Sequence, residues 1–371
     1  MKRSTILLVI LALLFSLFSC SENTENGEHS VDAVSGEYNG SSEDSKSVFF
    51  GDIEVPGDAE CPILVSGTFN LGDDCVCFSS QVHEISYDDE EKIKNRRFAK
   101  ITEKYPPQDE MQFSFNGISE NVPFSKGMLI DYSSVYFYEN ENVSLSYFAR
   151  SSALRSYHIL NEKLWNTDGK RVVNSNENAI EYAMKFMQEK MDIYKLDEYK
   201  PTQISRVKYT SINSYSYDIQ FVRLYKGLLT SLIIISITEQ GYVSACICYI
   251  DKEELDFLDR CIDYATELMS DEKALTALQS AASSKPEIAS IRNVSLYNFS
   301  SGDMVLDDFQ KFSIEQYGII EHNFALDKTE VCFYYSYTAV MKDGSEKQGF
   351  NVISVFLPID WAEVYGEKES A

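Results

Sequence analysis

The fold is decided by two neighbouring segments near the middle of the chain. Residues Tyr217–Gly227 read YDIQFVRLYKG, and residues Leu228–Ile237 continue as LLTSLIIISI. Both segments are rich in β-branched and aromatic residues, which favour strands, and the pair Lys226-Gly227 between them predicts a tight turn. The second segment is shorter than the roughly 20 apolar residues that cross a bilayer. It therefore predicts a buried strand.

A helix is predicted before this hairpin. Ser175 is a good N-cap, and Glu177 is favourably placed in the first turn. Apolar residues then recur at a spacing of three or four, which is typical of a helix packed on a core; they are Ile180, Ala183, Met184, Met187 and Met191. Further strands are predicted over Thr202–Tyr209 and Tyr242–Ile250. Residues 166–250 therefore predict an α+β module, a helix followed by an antiparallel meander.

The same order recurs over residues 251–362. A helical pattern runs from Lys252 to about Ser283 and allows a break at Ser270-Asp271. Four predicted strands follow, near Val294–Phe299, Phe309–Tyr317, Val331–Met341 and Gly349–Pro358. We therefore expect an α+β fold of repeated helix-plus-antiparallel-meander modules, with helices packed on one face of each sheet.

The chain outside these two blocks has a different pattern. Residues 48–165 predict an N-terminal mostly-β domain, in which Val135–Tyr138 and Val143–Phe148 form a hairpin. Whether this domain is a diverged third copy of the module is left open. The acidic run Asp88–Glu91, followed by basic residues, predicts a solvated loop or a short helix. Residues 363–371 form a C-terminal tail.

Three segments of residues 166–250 resemble the PepSY-like modules of exported Gram-positive proteins. They are a helix start at Asn176–Ile180, an aromatic strand and Gly turn at Phe221–Ser231, and a closing strand–turn–Gly–strand at Ile235–Val243. Residues 251–362 resemble the same family more loosely. The resemblance implies a propeptide-like chaperone, a peptidase regulator or an envelope sensor, and it carries over no catalytic residue.

The N-terminus resembles a bacterial lipoprotein signal. Lys2 and Arg3 precede the apolar stretch Thr5–Phe18, which is too short to span a bilayer. Leu17-Phe18-Ser19-Cys20 is similar to the lipobox, Leu-x-(small)-Cys. The resemblance implies removal of the signal peptide 1–19, a diacylglycerol on Cys20, and a protein anchored to the extracytoplasmic face of the cell membrane. An ordinary secretory signal and an uncleaved anchor are the alternatives.

Composition limits the partners. Residues 20–47 are polar and acidic, which predicts a disordered tether behind the lipid anchor. The net charge of the whole chain is −25, which disfavours nucleic acid and other polyanions as partners. Apart from the membrane, which is reached through the lipid anchor, a protein or a peptide remains as the partner class.

Cysteine usage does not indicate a metal site by itself. Of eight cysteines, seven remain once Cys20 is lipidated, an odd number for an exported protein. Cys75 and Cys77, like Cys246 and Cys248, would place two thiols on one face of a strand. Four such thiols could hold zinc, but the C-x-x-C spacing of zinc knuckles is absent. Buried apolar cysteines are the preferred interpretation, and we expect no cofactor.

The sequence contains no recognised catalytic motif. Its four histidines, His29, His83, His158 and His322, form no H-E-x-x-H pair. Ser205 and Lys208 have S-x-x-K spacing, but in a strand they would face opposite sides. We predict a non-catalytic binding or regulatory module with no catalytic residue. The alternatives are a structural envelope lipoprotein and a secreted hydrolase with a spatially assembled site. An exposed sheet edge would favour the module, and a pocket joining His158 or His322 to serine and aspartate would favour the hydrolase.

Overall fold

A computed structural model describes most of the chain beyond residue 47. The described residues are 48–50, 53–55, 63–68, 87–115, 118–130, 133–161, 164, 170–191, 193–209, 214–298, 309–312, 314–323 and 328–357. Ser47–Ala371 form one compact unit. The predicted signal peptide, lipidated Cys20, tether and C-terminal tail lie outside the described residues.

The described residues contain four α-helices and seventeen strands. The helices are α1 (Tyr87–Lys104), α2 (Asn176–Lys190), α3 (Lys252–Leu268) and α4 (Asp271–Ala282). The strands of the N-terminal part are β1 (Val48–Phe50), β2 (Ile53–Val55), β3 (Ile63–Thr68), β4 (Glu110–Phe115), β5 (Ile118–Ile130), β6 (Ser133–Glu139), β7 (Val143–Phe148) and β8 (Leu154–Ile159). The remaining strands are β9 (Tyr199–Tyr209), β10 (Ser214–Tyr225), β11 (Leu228–Thr238), β12 (Val243–Cys248), β13 (Ile288–Leu296), β14 (Phe309–Lys311), β15 (Gly318–Asn323), β16 (Lys328–Met341) and β17 (Glu346–Leu357).

Strands β3 to β17 form one fifteen-stranded mixed sheet. Its main path runs β3-β17-β16-β15-β11-β12-β8-β7-β6-β5-β4, while β10 pairs with β11 and β9, β14 pairs with β9, and β13 pairs with β16. The pairing of β15 with β11 is parallel and extends over two residue pairs, Leu228 with Gly318 and Leu229 with Ile319. The other pairings of this sheet are antiparallel.

The predicted fold of repeated helix-plus-meander modules is wrong. Strands of all three predicted blocks join the same sheet, because β15 pairs with β11 and β12 pairs with β8. The last block is not a simple meander either. Strand β13 pairs with β16 and not with β14 or β15, the two strands that follow it in sequence. Alternation of side chains identifies a strand and its faces, but it does not identify the partner strand. The residue boundaries between the predicted domains remain a prediction.

Helices α2, α3 and α4 each begin directly after a capping residue. Ser175 accepts a hydrogen bond from the amide of Asn178 at 3.2 Å, as the predicted N-cap requires. Asp251 caps α3 by accepting from the amide of Glu253 at 3.4 Å. The break allowed at Ser270-Asp271 is present, and Ser270 caps α4. No helix within the described ranges is both long and apolar enough to cross a membrane.

The acidic run Asp88–Glu91, predicted as a loop or a short helix, lies instead in the longer helix α1. This helix has 18 residues, and its apolar anchor is Phe98, whose ring packs edge-on against Tyr136 of β6 at 6.1 Å. Phe98 also lies against Gly127 of β5, where a Cβ would collide with the ring. The helix is therefore stabilised by packing on the sheet rather than by its own polar sequence.

Among the described residues, the core consists of two clusters of buried side chains. One lies between the sheet and α2, and includes Ala183, Met187, Ile219 and Ile235. The other lies between the sheet and helices α3 and α4, and includes Leu258, Ile262, Leu278, Phe333 and Val355. Helix α3, which contacts β11, β16 and β17, bridges the parallel junction of the sheet.

Candidate functional site

The β4–β5 hairpin is fixed to the core by an aromatic pair. The first half of β5 pairs with β4 and its second half pairs with β6, so the hairpin extends from the end of the main sheet. Phe113 of β4 is 7% exposed, and its ring stacks on Tyr157 of β8 with 4.8 Å between centroids. Strand β4 is therefore held in place without needing a partner on its outer side.

The outer edge of β4 carries unpaired backbone groups in the part of the chain that is described, where β4 pairs only with β5. The amide of Phe124 donates to the carbonyl of Asp109 at 2.8 Å. This bond identifies which residue pairs along β4 and β5 are hydrogen-bonded. In an antiparallel pair, hydrogen-bonded and non-bonded positions alternate. The backbone groups of Met111 and Phe113 therefore bond to β5, and those of Glu110, Gln112 and Ser114 point outward.

This edge is regular and accessible. The six residue pairs of β4 and β5 show no register shift, and Glu110, Gln112 and Ser114 have exposed side chains. Strand β13, which pairs only with β16 among the described strands, is different. Its register shifts twice, and Asn293 has a φ of +55°. Such bulges twist an edge away from new partners, so β4 is the better template for another strand.

A buried ion cluster joins β10 to α3. The guanidinium of Arg223 has no exposed surface and contacts Asp259, Glu198 and the hydroxyl of Thr230. Lys195 donates to Asp256 and Asp259, both at 2.9 Å. The hydrogen bond from Lys195 lowers the pKa of Asp256. The buried charges of this cluster are Arg223 and Asp259; buried charges are tolerated when they are paired in this way, and we assign the cluster a structural role.

A second polar cluster lies at the start of α3. Ser133 Oγ of β6 donates to Glu254 Oε2 at 2.5 Å, and Asp251 is 1% exposed. Burial, followed by repulsion from Asp251, raises the pKa of Glu254 to about 8. The carboxyl group of Glu254 therefore keeps its proton to a higher pH than an ordinary glutamate does.

The two histidines considered for a hydrolase lie on strands that are not neighbours. His158 of β8 is opposite Ser144 of β7 and Ala245 of β12, and burial lowers its pKa. His322 of β15 is 9% exposed, and burial, with a smaller contribution from Arg97, lowers its pKa to about 3. Burial therefore disfavours the charged form of both imidazoles.

A small cavity lies where β7, β8 and α3 meet. It encloses about 10 Å³, roughly the space that one water molecule needs. Its lining is mostly apolar and includes Met191, Cys248 and Leu255, but neither histidine. This cavity is too small for a substrate.

The remaining predicted residues are placed as follows. Cys246 and Cys248 lie in the core next to α2 and are not in disulfides, and burial raises the pKa of the Cys248 thiol to about 11. Cys75, Cys77, His29 and His83 lie outside the described residues. Ser205 and Lys208 are both on β9, as expected for a chance S-x-x-K match, and Lys208 lies over the ring of Tyr215.

One feature of the sequence points to the ion cluster around Arg223. Arg223 is the lone charge within the apolar run Ile219–Tyr225, and a charge in a buried strand requires a partner of opposite sign.

Comparisons of the chain with models of protein families, with curated proteins and with solved structures find no match.

Proposed function

We propose that the protein is a lipid-anchored, extracytoplasmic binding module that captures an extended peptide by adding it as a strand to β4. The observation that supports this role is the regular, exposed outer edge of β4. Addition of a strand to a sheet edge is a common mode of peptide recognition, in which backbone hydrogen bonds provide affinity and alternate side chains provide specificity.

The backbone of β4 supplies the affinity. Outward N–H and C=O groups at Glu110, Gln112 and Ser114 match the spacing of an antiparallel or parallel partner strand. Each net backbone hydrogen bond contributes about 0.5–1.5 kcal/mol, so a short peptide would bind with modest affinity. The stacking of Phe113 on Tyr157 holds the template in place beforehand, which reduces the ordering cost of binding.

Side chains and charge supply the preference. Met111 is half-buried beside the edge and offers an adaptable apolar contact. Glu110 is exposed, and the chain carries a net charge of −25. A peptide with basic and apolar residues in alternation is therefore the favoured ligand class, and its association is faster at low ionic strength.

Substitution of Gln112 tests the proposal. Peptides selected from a random library displayed on phage would be titrated against Gln112→Pro and Gln112→Ala variants of the full chain. Proline removes an outward N–H and is tolerated at an edge position, whereas alanine keeps the N–H. We expect Gln112→Pro to weaken binding about tenfold, the equivalent of about 1.4 kcal/mol, and Gln112→Ala to bind like the unaltered chain.

The hairpin itself should survive either substitution, because the backbone groups of residue 112 do not bond to β5. Protection of the Phe113 amide from hydrogen exchange checks this point. Equal affinities of the two variants, or a library that yields no binder, would contradict strand addition at β4.

A further inference from the structure

Two carboxylates and one thiol meet on one face of the β15–β16 pair. Glu321 of β15 is directly opposite Glu330 of β16. Cys332 is two residues further along β16, so its side chain points to the same face as that of Glu330. One ligand atom from each residue lies within 4.8 Å of the other two.

The spacing suits a tetrahedral metal ion. Cys332 Sγ lies 3.7 Å from Glu321 Oε1. A metal with bonds of about 2.3 Å to sulfur and about 2.0 Å to oxygen holds these two atoms about 3.5 Å apart. The third ligand atom, from Glu330, lies within 4.8 Å of both, so rotation of the side chains would bring all three to coordinating distance.

Two acidic side chains lie close together in this cluster. Like charges directly opposite each other in a sheet destabilise it, and here one of the two carboxylates is buried. Glu330 is 5% exposed and Cys332 is 3% exposed. Burial, then the charges of Glu330 and Glu321, raises the pKa of the Cys332 thiol. A divalent cation would convert this repulsion into attraction.

Neighbouring groups orient two of the three ligands. Asn323 Nδ2 donates to Glu330 Oε2 at 2.8 Å, which orients this carboxylate. The hydroxyl of Ser354 lies 3.5 Å from Cys332 Sγ. Hydrogen bonds of this kind fix ligand orientation at metal sites and support affinity.

We propose that Glu321, Glu330 and Cys332 bind a divalent transition metal of the zinc class. A mixed set of one sulfur and two oxygens suits Zn²⁺ and its substitute Co²⁺. Three protein ligands leave one position of the tetrahedron for water. On binding, the metal–sulfur bond replaces the S–H bond of Cys332, and the proton goes to solvent.

A titration of the reduced, metal-free full chain with Co²⁺ tests the site. A Co²⁺–thiolate bond produces a charge-transfer absorption band, and equilibrium dialysis with Zn²⁺ counts the bound metal. We expect one metal per chain, and loss of the band in Cys332→Ser. Glu321 is exposed, and Glu321→Gln should weaken Zn²⁺ binding at least about tenfold, since loss of even a supporting residue has that effect.

Cys248→Ser is the matched control. Cys248 is also a buried free thiol, and its Sγ contacts the carbonyl of Ile250 at 3.4 Å, so serine can replace it. This variant should bind Co²⁺ like the unaltered chain. Absence of the band in the unaltered chain overturns the proposal. A band that persists in Cys332→Ser overturns it as well, because the metal then binds at another cysteine.

Discussion

Both carboxylate oxygens of Asp259 bind the guanidinium of Arg223, through two hydrogen bonds of 2.7 Å. The pair joins a sheet strand, β10, to α3, the helix that lies across the parallel junction of the sheet. Its geometry is bidentate, which is the strongest arrangement for this type of ion pair. The pair therefore fixes the position of α3 on the sheet.

Replacing Asp259 by Ala should destabilise the protein strongly, because it leaves the buried charge of Arg223 with only part of its compensation. The expected loss is about 3 kcal/mol in the free energy of unfolding, measured by urea denaturation. Asp263→Ala is the control: Asp263 pairs with Lys226 at the surface, with side chains 42% and 45% exposed. Its loss should be at most about 1 kcal/mol, and similar losses for both variants would refute the prediction.

Glu254 should make stability fall as the pH rises. Its pKa is about 8 in the folded protein against an ordinary value of 4.5, so between these values the unfolded chain releases a proton that the folded chain keeps. By linkage, the free energy of unfolding decreases over this window. Glu254→Gln keeps an oxygen for the Ser133 hydroxyl but cannot ionise.

Urea denaturation at pH 5 and at pH 8 measures this effect. The variant should lose at least about 1.4 kcal/mol less than the unaltered chain between the two pH values, the equivalent of one pKa unit. The same pH dependence in both proteins would show that Glu254 is not the group responsible.

Gly318 should not tolerate a side chain. A Cβ at this position would overlap the backbone carbonyl of Cys332, and a backbone neighbour cannot rotate away. Gly318→Ala should lower the free energy of unfolding by about 3 kcal/mol or more. Gly344→Ala is the comparison, since Gly344 has a φ of +86° but nothing within 4 Å of an added Cβ. Its cost should be about 1–2 kcal/mol, from backbone strain alone, and the opposite ranking would contradict the packing at Gly318.

Cys20→Ser should abolish anchoring if the N-terminus is a lipoprotein signal. In bacteria that process such signals, the unaltered chain should partition into detergent, and its N-terminal peptide should carry the mass of a diacylglycerol. The variant should partition into the aqueous phase, because no thiol remains to be lipidated. Detergent partitioning of the variant would instead indicate an uncleaved anchor.

Local features of the fold could be predicted from sequence. Ser175 caps α2, and the hairpin of β6 and β7 pairs Val135 with Phe148 as its pattern suggests. Lys226 and Gly227 both have positive φ, as a two-residue hairpin turn requires. Each of these features depends on residues close together in the chain, where the physical preference is strong.

The long-range features could not be predicted. The parallel contact of β11 with β15 and the pairing of β13 with β16 depend on partners that no local pattern specifies. Helix α1 needs Tyr136 and Gly127 to form its packing surface. The polar clusters could not be predicted for the same reason. Ser133 and Glu254, for example, are 121 positions apart in the chain. Only the isolated charge of Arg223 in a strand indicated a buried partner.

The pairing of β3 with β17 limits when the sheet can be completed during synthesis. Within the described residues, β3 pairs only with β17, and its residues Ile63 and Val65 lie opposite Val355 and Ile353. Strand β3 is synthesised well before its partner, because strands β4 to β16 lie between β3 and β17 in the sequence. This pairing is therefore completed only after the chain has been synthesised as far as β17, and β3 needs protection from aggregation until then. A chain truncated before residue 346 would leave β3 without its partner permanently.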